Sequence, residues 1–475
     1  MGGVKAYRME NFSPPVCFLL EGEPVRLRFS ISRKNINPTR IVVLSFGVII
    51  LVGTLLLMLP IASRDGQSAG LLTALFTATS ATCVTGLVLV DTWLSWTLFG
   101  QIVILLMIQL GGLGFMTVIM LFCLALDRRI SLSQRMLMVS TFNLNDMDGV
   151  VRVVRYALRG TFLFEGAGAV ILSLCFIPRF GAAGIWRGIF HSVSAFCNAG
   201  FDLMGADGPF SSLTEYSDNP VVLLTIMALV IIGGLGFFVW YDLWKNKRWK
   251  GLSLYSKMVL AATAVLILAG GAVVLAAEWN NPATLGPMPV WQKVLNALFQ
   301  SVTLRTAGFN AIDQGAMMPV TTLLSILLML IGGCSGSTAG GIKVGTVCVL
   351  LLAVRAGMTG REEVTLRKRS IAPRRVFDAM TLVFVAGALF LVGMFALSAV
   401  DGVPLMRAAF ETASAIGTVG LTTGITPGLS ISSRLIVICL MFLGRVGILS
   451  FAMAFLSRRG GAAKIKYPTF NIMIG

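Results

Sequence analysis

With one histidine, His191, and 21 acidic residues in 475, the chain is short of the groups that acid–base catalysis and metal binding draw on. Its cysteines, Cys17, Cys83, Cys123, Cys175, Cys197, Cys334, Cys348 and Cys439, lack paired ligand spacing and mostly stand in apolar surroundings. They read as small buried hydrophobes, with no disulfide expected. No nucleophile, base and ligand set converges, which argues against an integral-membrane enzyme. Charge is scarce too, at 12% against 56% hydrophobic residues, with a mean hydropathy of +0.85. That is too little polar surface for a water-soluble body of this size, so the chain reads as a polytopic membrane protein. The glycine clusters 111–114 and 233–236 lack the spacing, preceding strand and later acid of a dinucleotide site, and no nucleotide is expected on this chain.

Apolar runs long enough for ~30 Å of hydrocarbon are present at Ile41 to Pro60, Leu94 to Leu126, Tyr156 to Pro178 and Pro220 to Trp244. Others run from Met258 to Ala277, Pro319 to Val354, Phe377 to Val400 and Leu435 to Leu456, predicting eight spans. The net charge of +17 comes from basic residues before the first run, in the connections after the second, fourth and sixth, and behind the last, as at Arg33, Arg135, Lys247, Arg367 and Arg458. The positive-inside rule makes these segments cytoplasmic, with both termini inside, and removes the electrostatic case for nucleic acid. The first apolar run lies too far in, and is too long, for a cleaved signal, so 1–38 is expected to be a cytoplasmic lead-in.

Four related stretches recur: FTATSATCVTG from Phe76, FHSVSAFCNAG from Phe190, FQSVTLRTAG from Phe299 and FETASAIGTVG from Phe410. Their final glycines, Gly86, Gly200, Gly308 and Gly420, are 114, 108 and 112 residues apart. Such a period marks an array of structural units. Before each glycine lies an apolar segment too short to cross, at Ala69 to Ser80, Ile185 to Phe196, Val290 to Thr303 and Pro404 to Ala415. A half-spanning helix is allowed at membrane depth only when buried in protein or lining water. The predicted fold is therefore all-α, with four tandem helix, pore-loop, helix repeats in a pseudo-fourfold arrangement around one pore. Their predicted limits are 39–127, 128–245, 246–357 and 358–457, with a cytoplasmic tail at 458–475. Each short helix would aim its C-terminus, roughly half a negative charge, at the axis, which favours a cation.

The predicted ion-binding turns are Val84, Thr85 and Gly86; Asn198, Ala199 and Gly200; Thr306, Ala307 and Gly308; and Thr418, Val419 and Gly420. Glycine lets successive carbonyls aim the same way and replace a cation's hydration shell. The nearest acids, Asp91, Asp202 and Glu411, are not at equivalent positions, so a carboxylate ring for divalent ions is absent. Below the turns, Gly332, Gly333, Cys334, Ser335, Gly336, Ser337, Thr338, Ala339, Gly340 and Gly341 interrupt the sixth run. Interior glycines cost about 1 kcal/mol each relative to alanine, so this stretch is expected to be an unwound loop. It reads either as a gate or as a packing kink. Arg445, mid-way along the last run, reads either as an intracellular barrier to cations or as a hydrogen-bond anchor. Glu165 is expected to pair with Arg159, with ion coupling as the other reading, and His191 to be a packed residue.

On the four turns, on GGCSGSTAGGIK from Gly332 and on FLGRVG from Phe442, the chain resembles the Trk/Ktr/HKT superfamily of potassium transporters, within it the Ktr-type membrane subunit. The resemblance runs from Thr39 to the C-terminus. It implies one filter glycine per turn, potassium rather than sodium because Gly86 is not the serine of many sodium-selective relatives, and gating by the intramembrane loop with Arg445. It also implies a homodimer, a cytoplasmic nucleotide-binding RCK ring as partner, nucleotide on that partner only, and surrounding membrane lipid. Sodium dependence stays open, as do a less selective sodium and potassium transporter and a secondary transporter of another solute. A voltage-gated channel is excluded by the lack of regularly spaced arginines in any span.

Overall fold

In a computed structural model, residues 38–114 and 150–447 are described, together with two short strands near the N-terminus. Residues 1–37 form a unit of their own, in which Phe18–Leu20 pairs antiparallel with Glu23–Val25. The described residues from 38 onward belong to a second unit, built of helices. The predicted tail at 458–475 and the connection following the second run lie outside the described residues.

Each quarter opens with a long apolar helix: Pro38–Leu57, Val150–Phe180, Leu254–Glu278 and Pro373–Asp401. All four are long and apolar enough to cross a membrane. Side chains such as Leu44, Leu163, Leu268 and Phe384 point outward from them and are exposed, as lipid-facing groups would be. The four short helices follow at Leu71–Thr82, Ala183–Phe196, Val290–Thr303 and Leu405–Gly417, within two residues of the predicted limits. Each packs against the long helix of its own quarter.

The third helix of each quarter ends or breaks at a glycine or a glycine-rich stretch. Leu98–Leu113 ends at Gly114, whose φ is +78°, and Ile431–Val446 ends at Gly447, at +87°. Pro220–Gly234 and Phe237–Asn246 meet at 96° about Gly236, at +89°, so the predicted run Pro220 to Trp244 is not one straight crossing. The sixth run divides into Pro319–Leu330 and Val344–Met358, as its glycines predicted. Such φ values are open to glycine at little cost.

Third helices also set how quarters meet. Leu98–Leu113 packs on the short helix of quarter two, Pro220–Gly234 on that of quarter three, Pro319–Leu330 on that of quarter four, and Ile431–Val446 on that of quarter one. Within three of the four quarters, glycine permits a close backbone approach. A β-carbon on Gly111, Gly233 or Gly444 would strike the carbonyl oxygen of Thr82, Phe196 or Ile416, the same position in three short helices. Small residues serve this purpose where helices approach in membranes. Replacing Gly111, Gly233 or Gly444 by alanine is expected to destabilise the protein by about 1–3 kcal/mol, seen as a lower unfolding temperature in detergent. Gly47→Ala, with nothing within 4 Å, is the matched control and should not lower it.

Candidate functional site: four glycine turns and the loop beneath them

Each short helix ends in the same strained turn. Val84, Asn198, Thr306 and Thr418 have φ of 56°, 60°, 67° and 51°, and two residues later Gly86, Gly200, Gly308 and Gly420 have 93°, 70°, 84° and 95°. Positive φ is a genuine outlier for β-branched Val84, Thr306 and Thr418. Such strain costs about 1–3 kcal/mol per residue and persists only where the surroundings over-determine it. The restraints are visible: Ser80 and Ser414 hydroxyls accept from the amides of Gly86 and Gly420 at 3.1 and 3.0 Å. Ser194 and Thr303, at the matching helix positions, donate to the carbonyls of Phe201 and Phe309 at 2.7 and 2.6 Å.

The four turns touch in chain order and close on themselves. A β-carbon built on Gly86 would meet the carbonyl oxygen of Ala199, one on Gly200 that of Ala307, one on Gly308 that of Val419 and one on Gly420 that of Thr85. The same β-carbons would lie 2.8 to 3.3 Å from the next glycine's Cα. The four predicted turns are thus brought together, with no room for a side chain at the glycines. Thr85 and Thr418 hydroxyls beside the circuit are buried without a partner.

The residue after the leading phenylalanine of each short helix was not singled out as a set. His191, Gln300 and Glu411 occupy this position, and each reaches the segment that leaves its turn. The His191 Nε2 accepts from the Leu203 amide at 3.5 Å, which leaves Nδ1 to donate to the Arg187 carbonyl at 2.8 Å. Gln300 and Gln314 exchange hydrogen bonds at 2.7 and 3.0 Å, and Glu411 accepts from the Thr426 hydroxyl. The column beneath the repeated phenylalanine holds Thr77, His191, Gln300 and Glu411, whose differing chemistry gives no sign of a shared role in the sequence. Glu411 therefore faces away from the circuit. Asp91 is occupied capping Trp93 and Leu94, both at 2.9 Å, while Asp202 lies with it beside a cavity of about 20 Å³ next to Gly86 and Gly200.

From Gly332 to Gly341 the chain is non-helical, as expected, and its ends are zipped together by Gly332 N–H to the Ile342 carbonyl at 2.9 Å and Ile342 N–H to the Leu330 carbonyl at 3.1 Å. One side docks on quarter two. Cys334 N–H donates to the Gly234 carbonyl at 2.9 Å, Phe237 N–H to the Gly336 carbonyl at 2.9 Å, and the Thr338 hydroxyl to the Phe196 carbonyl at 3.1 Å. The other side reaches quarter four, where a β-carbon on Gly340 would meet Thr418. Asn198 joins turn and loop, with its amide nitrogen 3.3 Å from the Thr306 hydroxyl and its oxygen 3.5 Å from that of Thr338. Ser337 donates to the Cys334 carbonyl at 2.7 Å. The loop hydroxyls of Ser337 and Thr338 thus bond to backbone.

Three cations donate to main-chain oxygens around this loop. The Arg445 guanidinium donates to the carbonyls of Thr338, Gly111 and Gly112, Lys343 to that of Ala339 at 2.5 Å, and Arg305 to that of Gly332 at 3.4 Å. None of these three forms an ion pair with a carboxylate of the described residues. Glu165 accepts from the Gln109 amide at 3.1 Å, with the Cys197 thiol at 3.8 Å. The expected pair with Arg159 does not form, because the carboxyl points toward the end of the second short helix. The six described cysteines are free.

The family model described as TrkH, cation transport protein, matches residues 17–460. The chain belongs to the TrkH family. It is 42% identical over 449 residues to the potassium/sodium uptake protein NtpJ of Enterococcus hirae, covering 93% of this chain and 98% of that one. It is 39% identical over 440 residues to the Ktr system potassium uptake protein B of Bacillus subtilis, covering 92% and 97%. The crystal structure of the potassium transporter TrkH from Vibrio parahaemolyticus superposes with a TM-score of 0.72 at 20% identity, over 90% of this chain and 87% of that one. That likeness supports the TrkH-type fold, and the full-length matches to Ktr-type proteins place the chain on the Trk/Ktr side of the family. None of these relatives is named as an enzyme.

Proposed function

We propose that this TrkH-family protein carries potassium into the cell through a central pathway, with the main-chain oxygens of 84–86, 198–200, 306–308 and 418–420 as its selecting collar. The observation that carries the reading is the closed circuit of turns, each glycine seated against the carbonyl of the next quarter. Oxygens held by such contacts replace a hydration shell without a fixed charge, which suits a monovalent ion that must also leave. Potassium is the cargo. Four quarters of two crossings each, pseudo-fourfold about the axis and with both termini cytoplasmic, are part of this proposal.

The loop 332–341, running beneath the turns from quarter two to quarter four, is proposed as the gate, with Arg445 as its cationic bolt. Dimerisation and control by a cytoplasmic RCK ring are proposed from the Ktr resemblance, with nucleotide on the partner. Sodium use is a second reading, supported by the potassium/sodium uptake name of the 42% identical relative.

Cells lacking their own potassium uptake are expected to grow at low external potassium when supplied with this protein and its ring partner. Uptake measured with and without sodium separates the two readings. Absence of potassium uptake into vesicles containing the folded protein and its partner would contradict both.

A further inference from the structure

We propose that a basic cavity at the foot of the helix Val344–Met358 holds the phosphodiester headgroup of an anionic membrane lipid. After this helix the chain turns at Gly360, and the Arg361 amide donates back to the Ala356 carbonyl at 2.9 Å. A small hairpin follows, pairing Thr365 with Ser370 and Leu366 with Arg369. Its two-residue tip is Arg367 and Lys368, at φ of 45° and 66°. Asparagine and glycine are the usual residues for such a tip. Here two long cations occupy it and overhang the space behind.

That space, about 300 Å³, is lined by Arg355, Arg361, Glu363, Arg367 and Lys368 over a floor that includes Leu352. Four cations face one carboxylate, and none of the four is in an ion pair among the described residues. Left alone they repel one another, and a phosphate anion supplies the missing countercharge. Guanidinium groups bind its oxygens in pairs. Glu363 offers an acceptor to a hydroxylated headgroup.

A second observation concerns the adjoining surface. Leu351, Val354 and Met358, which flank the lining residues Leu352, Arg355 and Thr359 along the same helix, are exposed, Met358 at 85%, as are Phe377 and Met380 of the next helix. A water-soluble phosphate compound would leave this apolar face uncovered. A lipid covers both parts, its headgroup among the cations and its acyl chains along the two helices. Basic pockets beside spans at the cytoplasmic surface bind headgroups of this kind. The placement rests on the inward orientation of this connection proposed above, whereas lipid retention is measured independently of transport.

The test is native mass spectrometry of the full-length protein, titrated with phosphatidylglycerol against phosphatidylcholine. One phosphatidylglycerol per chain is expected to remain bound. The variant Arg355→Gln/Arg361→Gln/Lys368→Gln should weaken its retention by about a hundredfold. The Arg355→Lys/Arg361→Lys variant, which keeps the charge and loses the paired geometry, should fall between the two, and Arg248→Gln/Lys250→Gln in another basic connection should keep full retention. Equal retention by the triple variant and the unaltered protein would overturn the proposal. So would displacement of the lipid by inorganic phosphate at comparable concentration, which would assign the cavity to a soluble anion.

Discussion

Replacing Gly86 by serine is expected to lower the ratio of potassium to sodium uptake by about tenfold, which corresponds to ~1.4 kcal/mol of lost discrimination. Two effects add. The residue sits at φ +93°, where an L side chain is strained, and its β-carbon would press on the carbonyl oxygen of Ala199. That oxygen belongs to the proposed collar, so relieving the clash moves a ligand rather than a spectator. Selection between two ions of equal charge depends on how many oxygens aim at the ion and how firmly they are held. Serine at Gly200, Gly308 or Gly420 should act in the same direction, because each of these glycines also abuts the next quarter's carbonyl. Competing uptake of the two ions, measured at matched amounts of protein, reads the ratio directly. An unchanged ratio for all four variants would show that these oxygens do not select.

Removal of the Arg445 side chain is expected to raise potassium flux several-fold. Its guanidinium joins the loop, through the Thr338 carbonyl, to Gly111 and Gly112 of quarter one. A fixed positive charge beneath a cation collar opposes passage, since at 4 Å two unit charges repel by about 4 kcal/mol in an effective dielectric of 20. Alanine removes that charge and also leaves buried carbonyls without a donor, at about 1–3 kcal/mol each. The loop should nevertheless stay folded, because Lys343 and Arg305 hold its other carbonyls. Arg445→Lys keeps the charge and loses the forked geometry, so it should restore most of the barrier. Flux that falls in Arg445→Ala, with unfolding temperature unchanged, would make the residue an anchor of the open pathway instead.

The short helices and their turns were legible because two independent signals coincide there: an apolar segment too short to cross, and a glycine at a fixed distance after a phenylalanine. The loop at 332–341 was legible because five glycines in ten residues cannot sustain a helix. The bend at Gly236 was missed, although Gly111 to Gly114, Gly233 to Gly236 and Gly444 to Gly447 are related strings. Hydropathy sums a window and cannot register one residue's φ, so Pro220 to Trp244 read as one crossing. The first glycine of each string lies against the end of its own short helix, a contact that only the packed quarter defines. Arg445 stands where the matching strings have Gly112 and Gly234, which is why its side chain starts so close to the loop. Glu165 was misassigned for a related reason. Spacing along a helix suggested Arg159, whereas the partner comes from the third helix of quarter one, more than fifty residues earlier.

The most direct measurement is the position of rubidium, by anomalous scattering, in crystals of the protein grown with rubidium in place of potassium. A peak on the axis, surrounded by the carbonyl oxygens of Thr85, Ala199, Ala307 and Val419, is the expected result. Rubidium bound instead at the carboxylates of Asp91 and Asp202, with nothing between the four turns, would contradict the account.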